Sequence, residues 1–309
     1  MKHVVFGTGP VGSALARELS GRGEQVVAVN RSGRADVGGA TVLAGDANDA
    51  DFVRLVADGS AVVYQCLNPP YTKWPDLFPP LQRNLIDAAK AAGAKLVSFE
   101  NLYAYGPTRG APLTEDLPFD ATGRKGKVRG AMSRELLALH AAGELRVTMG
   151  RASDYFGPGG LVTHMGERVF YPILAGKKAQ VFGNPDLLHT FSYIPDIATG
   201  LATLGTDDRA DGQAWHLPNA KTLSTRDLIG RVADAAGTEG GVSPMPGFLV
   251  NLMALFNGNV REIKEVLFEF REPFIVDSSK FDSTFGQSAT PLTQSIPTTV
   301  EWFRHHPKG

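Results

Sequence analysis

The sequence predicts an α/β protein whose core is a doubly wound parallel sheet, joined to a smaller lobe built mainly from its C-terminal half. Three observations carry this expectation. Short apolar stretches alternate with segments of helical periodicity through the first half of the chain. The first stretch runs directly into Gly7-Thr8-Gly9-Pro10-Val11-Gly12, a glycine-rich turn between a strand and a helix. Beyond residue 155 or so the alternation loosens, and Gly, Pro and aromatic residues gather around Phe156–Gly160, Gly183–Asp186 and Ser243–Gly247.

Taken in order, Lys2–Phe6 reads as the first strand. Val11, Ala14, Leu15 and Leu19 recur at helical spacing after the turn, and Gly21 and Gly23 end that helix. Gln25–Val29, Thr41–Ala44, Ala61–Cys66, Lys95–Phe99 and Arg146–Gly150 continue the strands, interleaved with helices over Asp49–Ala57, Asp76–Ala92 and Val128–Ala142. Strands separated by helices make a parallel sheet covered on both faces. Further on, helices are predicted over Pro195–Leu204, Ser224–Ala236, Phe248–Phe256, Arg261–Phe270 and Leu292–Arg304, with a strand at Gln213–Leu217. Residues 1–155 are thus expected to form a dinucleotide-binding domain to which 188–205 and 214–236 return. Residues 156–309 supply most of the smaller lobe.

Composition narrows the function. A chain of 309 residues with 43% hydrophobic content has a core of ordinary size, and a formal net charge of −1 without a basic block speaks against nucleic acid or an anionic membrane as partner. No apolar run approaches the roughly 18 residues of a membrane helix, and no basic, apolar leader precedes the first strand, so a cytoplasmic protein is expected. A single cysteine, Cys66, excludes an internal disulfide and a thiolate-built metal site. The adjacent His305 and His306 cannot share a helix face, so they read as a solvated end and no metal is expected.

The glycine-rich turn carries chemistry because each glycine has a mechanical role. Gly7 permits the tight turn, Gly9 lets backbone approach a pyrophosphate, Gly12 lets helix and strand pack closely, and the phosphates meet the helix N-terminus. The second strand ends in Asn30-Arg31-Ser32, where a preference for NAD calls for an acidic residue to grip the ribose 2′-hydroxyl. Arg31 instead suits a 2′-phosphate, with Asn30 and Ser32 as hydrogen-bonding neighbours and Arg34 nearby. NADP is therefore the expected cofactor, with NAD as the alternative. Asp46 also suits a turn or a helix N-cap. Cys66, a small soft residue at a strand end with no basic neighbour in sequence, reads as packing rather than as a nucleophile.

These landmarks, together with Gly45-Asp46, Val62-Val63-Tyr64-Gln65-Cys66, Tyr105-Gly106-Pro107, Arg151-x-x-Asp154-x-x-Gly157-Pro158 and the run from His189 to Asp196, resemble the extended branch of the short-chain dehydrogenase/reductase superfamily, the NAD-dependent epimerases and dehydratases. The resemblance covers nearly the whole chain. It implies an NAD(P)-binding Rossmann fold, Asp46 and Ala47 near the adenine, and Cys66, Leu67 and Asn68 near the ribose on the nicotinamide side. It also implies dimerisation through the helices Asp76–Ala92 and Val128–Ala142.

The chain departs from that family at the chemistry. Its members use a serine or threonine before the Tyr-Gly turn and a Tyr-x-x-x-Lys on the next helix. Counted from Tyr105-Gly106 the serine position is Asn101; anchored on Glu135, the tyrosine and lysine positions are Lys127 and Ala131. Asn101 can still orient a carbonyl. Lys127, in a dry pocket, could carry the proton, as a lysine does in reductases of the isoflavone-reductase type. Tyr103 and Tyr105 are further candidates, whereas a basic, glycine-rich run such as 123–130 is most often a solvated loop. Asp154 replaces the asparagine of nucleotide-sugar enzymes, and His189 stands where they often carry an arginine. Both changes favour a smaller, neutral or cationic substrate; the structural alternative is that Asp154 pairs with Arg151 and His189 packs in a loop. The expected activity is hydride transfer to or from a small carbonyl or alcohol, or the related epimerase or dehydratase chemistry. The alternative is an inactive NADP(H)-sensing or partner-binding regulator.

Overall fold

The structure, a computed structural model, describes residues 1–246, 262 and 264–308. The chain forms two compact units. The first comprises 1–104, 119–152 and 197–217, and the second 105–118, 153–196 and 218–309. Of the two stretches expected to return to the first unit, 197–205 and 214–217 do so, while 188–196 and 218–236 belong to the second.

The first unit is the predicted parallel sheet. Its strands are β1 (Lys2–Phe6), β2 (Gln25–Asn30), β3 (Thr41–Ala44), β4 (Val62–Gln65), β5 (Lys95–Glu100), β6 (Val147–Arg151) and β11 (Ala214–His216), numbered in chain order. They lie in the order β3-β2-β1-β4-β5-β6-β11, every neighbouring pair parallel. The order reverses direction between β1 and β4, and such a switch point is where open α/β sheets bind ligands, at the strands' carboxyl ends. Helices α1 (Pro10–Gly21), α2 (Ala50–Ala57), α3 (Trp74–Ala92) and α4 (Arg124–Ala141) connect the strands. Val4, Phe6, Val63, Leu85, Leu96 and Val147, all fully buried, belong to one core cluster.

The second unit packs α5 (Glu167–Leu174), α7 (Thr225–Ala236) and α9 (Leu292–His305) around Phe170, Ile173, Ile229, Val300 and Phe303. Phe170 and Phe303 stack in parallel with centroids 4.5 Å apart. Its strands are short and paired in twos: β7 (Tyr155–Phe156) with β10 (Ser192–Tyr193), β8 (Lys178–Val181) with β13 (Gly241–Pro244), and β9 (Leu188–His189) with β12 (Leu223–Ser224). Helix α6 (Ile194–Thr206) begins in the last residues of the second unit's middle segment and continues in the first unit, and α8 (Ser279–Phe285) precedes α9.

The helix expected over 248–256 lies outside the described residues, as do residues 261 and 263 of the one expected over 261–270. The described end of the latter, Leu267–Phe270, is a 3-10 turn. No helix among the described residues is long and apolar enough to cross a membrane.

Candidate functional site

At the first turn the glycines answer three different demands. Gly7 has φ +99°, and a Cβ there would lie 2.4 Å from the Cys66 carbonyl oxygen. A Cβ on Gly12 would lie 1.9 Å from the Gly7 carbonyl oxygen, so strand and helix touch backbone to backbone. Gly9, the N-cap of α1, faces open space, with nothing within 4 Å of its ideal Cβ. No side chain caps that helix, and Pro10 occupies its first turn, where the missing N–H costs nothing. Thr8 and Val11 flank the opening, with the Thr8 carbonyl accepting from Ser13 Oγ at 2.9 Å. The result is a glycine-lined approach to the uncapped amides of a helix N-terminus, which fits a pyrophosphate.

The end of β2 differs in part from expectation. Asn30 is committed to the protein's own turn. Its Nδ2 donates to Thr8 Oγ1 (2.5 Å) and to the Arg34 carbonyl (2.9 Å), and its Oδ1 accepts from Gly33 N (2.7 Å) and Ser32 Oγ (3.0 Å). Asn30 therefore shapes the loop rather than reaching out to a ligand, and the Ser32 hydroxyl is held within the same turn. The exposed guanidinium groups of Arg31 and Arg34 are the side chains this loop presents.

After β3, Asp46 forms the turn, accepting from Asn48 N (3.0 Å) and Asn48 Nδ2 (2.8 Å). Those bonds, aided by the Arg31 charge, hold its carboxyl below the ordinary value. The N-cap of α2 is Asp49 instead, accepting from Phe52 N at 3.1 Å. Ala47 is buried in the core, and its carbonyl accepts from Asn84 Nδ2. After β4, burial pushes the Cys66 thiol up to about 12, so it stays protonated and serves packing against Gly7 and Gly12. Leu67 packs at the edge of the core, while Asn68 is exposed.

The loops after β4 and β5 meet the start of α4 in a cluster that motif counting did not reveal. The hydroxyls of Tyr71 and Tyr103 lie 2.6 Å apart. Trp74 packs against both rings, at centroid distances of 4.8 Å and 6.0 Å, and the Lys125 ammonium sits 5.3 Å over the Tyr71 ring. Lys125 is 1% exposed, whereas Lys127 is exposed. Helix α4 begins at Arg124, one turn earlier than the predicted Val128, so the basic run read as a solvated loop is helical. The dry lysine is therefore Lys125, not Lys127. Gly126 makes this possible: a Cβ there would lie 2.5 Å from the Tyr103 carbonyl oxygen.

Asn101 is half-buried, and its side chain accepts from Tyr103 N at 3.3 Å, fixing the turn that carries Tyr103. Tyr105 belongs to the second unit and is buried. Beneath the Tyr103 turn, Glu100 accepts from Ser133 Oγ (2.8 Å) and Arg151 Nε (3.1 Å), with Arg129 Nη2 at 3.9 Å. Burial lowers the Arg129 guanidinium from its ordinary value, and Glu100 opposes that shift. Arg151, which the alternative reading paired with Asp154, bonds Glu100. The signal for these residues was present in the spacing: Lys125, Arg129, Met132, Ser133 and Leu136 form one buried helical stripe. Two of its members are cations, which a search for apolar periodicity passes over.

In the second unit, Asp154 pairs with His189, Oδ2 to Nε2 at 3.1 Å. His189 is buried on β9 rather than in a loop, and its Nδ1 donates to the Glu269 carbonyl at 3.1 Å. Burial works against the Asp154 carboxylate, but the hydrogen bond and charge of His189 outweigh it and hold its pKa low. Glu269, buried and facing the Asp154 charge, is pushed well above the ordinary carboxylate value. Phe270 stacks on His189 at 4.8 Å and on His164 at 4.2 Å. Among the described residues no group of three or more His, Cys, Asp or Glu could hold a metal ion.

Comparison with known proteins places this geometry. The model described as the NAD dependent epimerase/dehydratase family matches residues 4–217. A dTDP-glucose 4,6-dehydratase of Streptomyces griseus is 23% identical over 226 residues, which is 72% of this chain and 63% of that relative's length. Among solved structures, an epimerase of Methanothermobacter thermautotrophicus superposes with a TM-score of 0.81 at 15% identity, over 99% of this chain and 92% of the other. UDP-glucuronic acid 4-epimerase from Bacillus cereus, in complex with NAD, gives 0.78 at 18% identity over 100% of both chains. A dTDP-glucose 4,6-dehydratase from Streptomyces venezuelae with NAD bound gives 0.76 at 17% identity, over 99% of this chain and 97% of the other. At such identities the structures establish the fold and leave the site to be argued from its residues. With the family match spanning strands β1 to β11 and the glycine turn at its start, the chain belongs to the NAD dependent epimerase/dehydratase family.

Proposed function

We propose that the protein is an NADP-binding oxidoreductase or epimerase-like enzyme acting on a small carbonyl or alcohol. The carrying observation is the open, uncapped approach at Gly9, at the switch point of the sheet. Preference for NADP rests on Arg31 and Arg34, exposed at the end of β2 where a carboxylate would repel a 2′-phosphate. Two of the solved structures named above, the Bacillus cereus epimerase and the Streptomyces venezuelae dehydratase, carry NAD, so this preference is a property argued for this chain alone. The dinucleotide, when bound, supplies or accepts the hydride. This chain's residues do the rest: Asn101 orients the Tyr103 turn, Tyr103 exchanges the substrate proton, and Lys125 takes the place anticipated for Lys127.

The substrate class is read from the second unit. The Asp154–His189 pair sets a carboxylate here and commits the His189 Nε2 to it, which leaves a phosphate poorly served. A neutral or cationic substrate suits it better than a nucleotide sugar. A homodimer through α3 and α4 remains part of the proposal.

The reading of an inactive dinucleotide sensor draws on the exposure of Lys127. Against it stands the buried Lys125 beside two phenols, at the carboxyl ends of β4 and β5. Consumption of NADPH in a screen of small aldehydes and ketones separates the two. The cofactor itself is tested by calorimetric titration with NADPH and NADH on the native protein and Arg31→Ala. NADPH should bind more tightly than NADH, and Arg31→Ala should lose about tenfold or more of NADPH affinity while leaving NADH nearly unchanged. Equal affinity for both nucleotides would overturn the NADP preference, and no binding of either would overturn the enzyme and sensor readings together.

A further inference from the structure

We infer that Tyr71 and Tyr103 form a two-phenol proton relay, in which Tyr71 refills the proton that Tyr103 gives to the substrate and the resulting charge comes to rest beside Lys125 and Arg129. The inference rests on the proposed oxidoreductase reading and extends it to a residue that no motif marks. Tyr71 lies in the short turn Tyr71–Lys73 between β4 and α3. Its hydroxyl is 2.6 Å from that of Tyr103, a separation at which one hydroxyl must donate to the other. Trp74 packs on both rings and fixes their geometry.

The charges around the pair point in one direction. Lys125 lies over the Tyr71 ring, and the buried Arg129 feels the charge of Tyr71 as well as that of Glu100. Lys73 follows in the same turn and is exposed. Glu100, the nearby carboxylate of β5, is engaged by Ser133 and Arg151. Tyr71 therefore has cations on its α4 side, and a phenolate there is favoured by their attraction.

The proton step balances as follows. As a hydride reaches a carbonyl carbon, the C=O π pair moves to oxygen. The O–H bond of Tyr103 breaks as that of the product alcohol forms. Tyr71 passes its proton to Tyr103, and water, to which the half-buried Tyr71 has access, restores the proton to Tyr71. In the oxidative direction each transfer reverses. A relay of this kind separates proton delivery, at Tyr103, from charge storage, at Tyr71.

The test needs no substrate. Ultraviolet difference titration of the apoprotein follows tyrosinate formation as pH rises. Of the seven tyrosines, Tyr64 and Tyr171 are raised by burial and Tyr193 is pushed up to about 12, so they leave the early part of the titration clear. One phenol should ionise about one unit or more before the rest, because its anion keeps the hydrogen bond of its partner. That early step should vanish in Tyr71→Phe and in Tyr103→Phe, and should move up by about one unit in Lys125→Met. Absence of an early tyrosinate in the native protein, or its survival in either phenylalanine variant, overturns the relay. NADPH calorimetry on the same proteins keeps the two readings apart: Tyr71→Phe should bind NADPH as the native protein does. A native protein that shows the early tyrosinate yet binds no NADPH overturns the cofactor reading and leaves the phenol pair standing.

Discussion

A methyl group added at Gly9 and one added at Gly12 meet opposite surroundings, although the two residues are neighbours in one turn. At Gly12 the methyl has nowhere to go, since Gly7 backbone stands 1.9 Å from it; at Gly9 it enters open space at an ordinary φ of −66°. Gly12→Ala should therefore lower the melting temperature and abolish nucleotide binding together, with a loss of roughly 2–4 kcal/mol in stability. Gly9→Ala should melt like the native protein and lose dinucleotide affinity alone. Thermal melts and calorimetry on the two variants check both halves of this expectation. The backbone geometry of this turn was legible in the sequence, because glycine spacing is tied to it. The proton-handling residues were less so. Lys125 and Lys127 are indistinguishable by composition, and only the helix start at Arg124 decides which is buried. Asn30 was misjudged for a related reason: a side-chain amide offers itself equally to a ligand and to its own loop.

At the scale of elements, the end of β5 is tied to α4 and β6 through one carboxylate. Glu100 is 2% exposed and receives Ser133 from α4 and Arg151 from β6, with Arg129 close by. Removing it would take a negative charge away from two buried guanidinium groups, Arg151 and Arg129. Glu100→Ala is expected to cost about 3–5 kcal/mol in chemical denaturation. A loss under about 1 kcal/mol would show that the cluster is solvated rather than dry. Strand positions throughout the sheet followed from apolar runs bounded by turns, so β1 to β6 appear within a residue or two of expectation. The short strands β7 to β10, β12 and β13 escaped notice because most are two residues long and have no periodicity to read. Helix α4 was mistimed because its first buried positions are charged.

For the molecule as a whole, the pH dependence of stability should carry a histidine signature. Burial lowers His164 from 6.5 to about 4, with the charges of His189 and Arg168 acting the same way and Asp154 opposing them. Its Nε2 is buried without a partner among the described residues, and the ring stacks on Phe270. The unfolded chain thus takes up a proton that the folded chain refuses. Stability is full above about pH 6.5, falls as pH drops toward 4, and levels off below, for a contribution of about 3 kcal/mol. His164→Phe should flatten that part of the profile in denaturant titrations run across the same range; an unchanged slope would assign it to other groups. One of the points at which the chain passes between the units, Asp196 to Ile197, falls inside the continuous helix α6, where no composition change marks it.

The sheet's seven strands are not made in one piece. Six come from the first 151 residues, but β11, which hydrogen-bonds to β6, begins only at Ala214, after the whole of the second unit's middle segment. On the ribosome, at about 5–20 residues per second, this interval lasts roughly 3–12 s. During that time the nascent sheet carries an open edge at β6, its unpaired amides and carbonyls a template for any passing strand. The order of synthesis thus gives this chain a window of vulnerability to mispairing that its finished topology no longer displays.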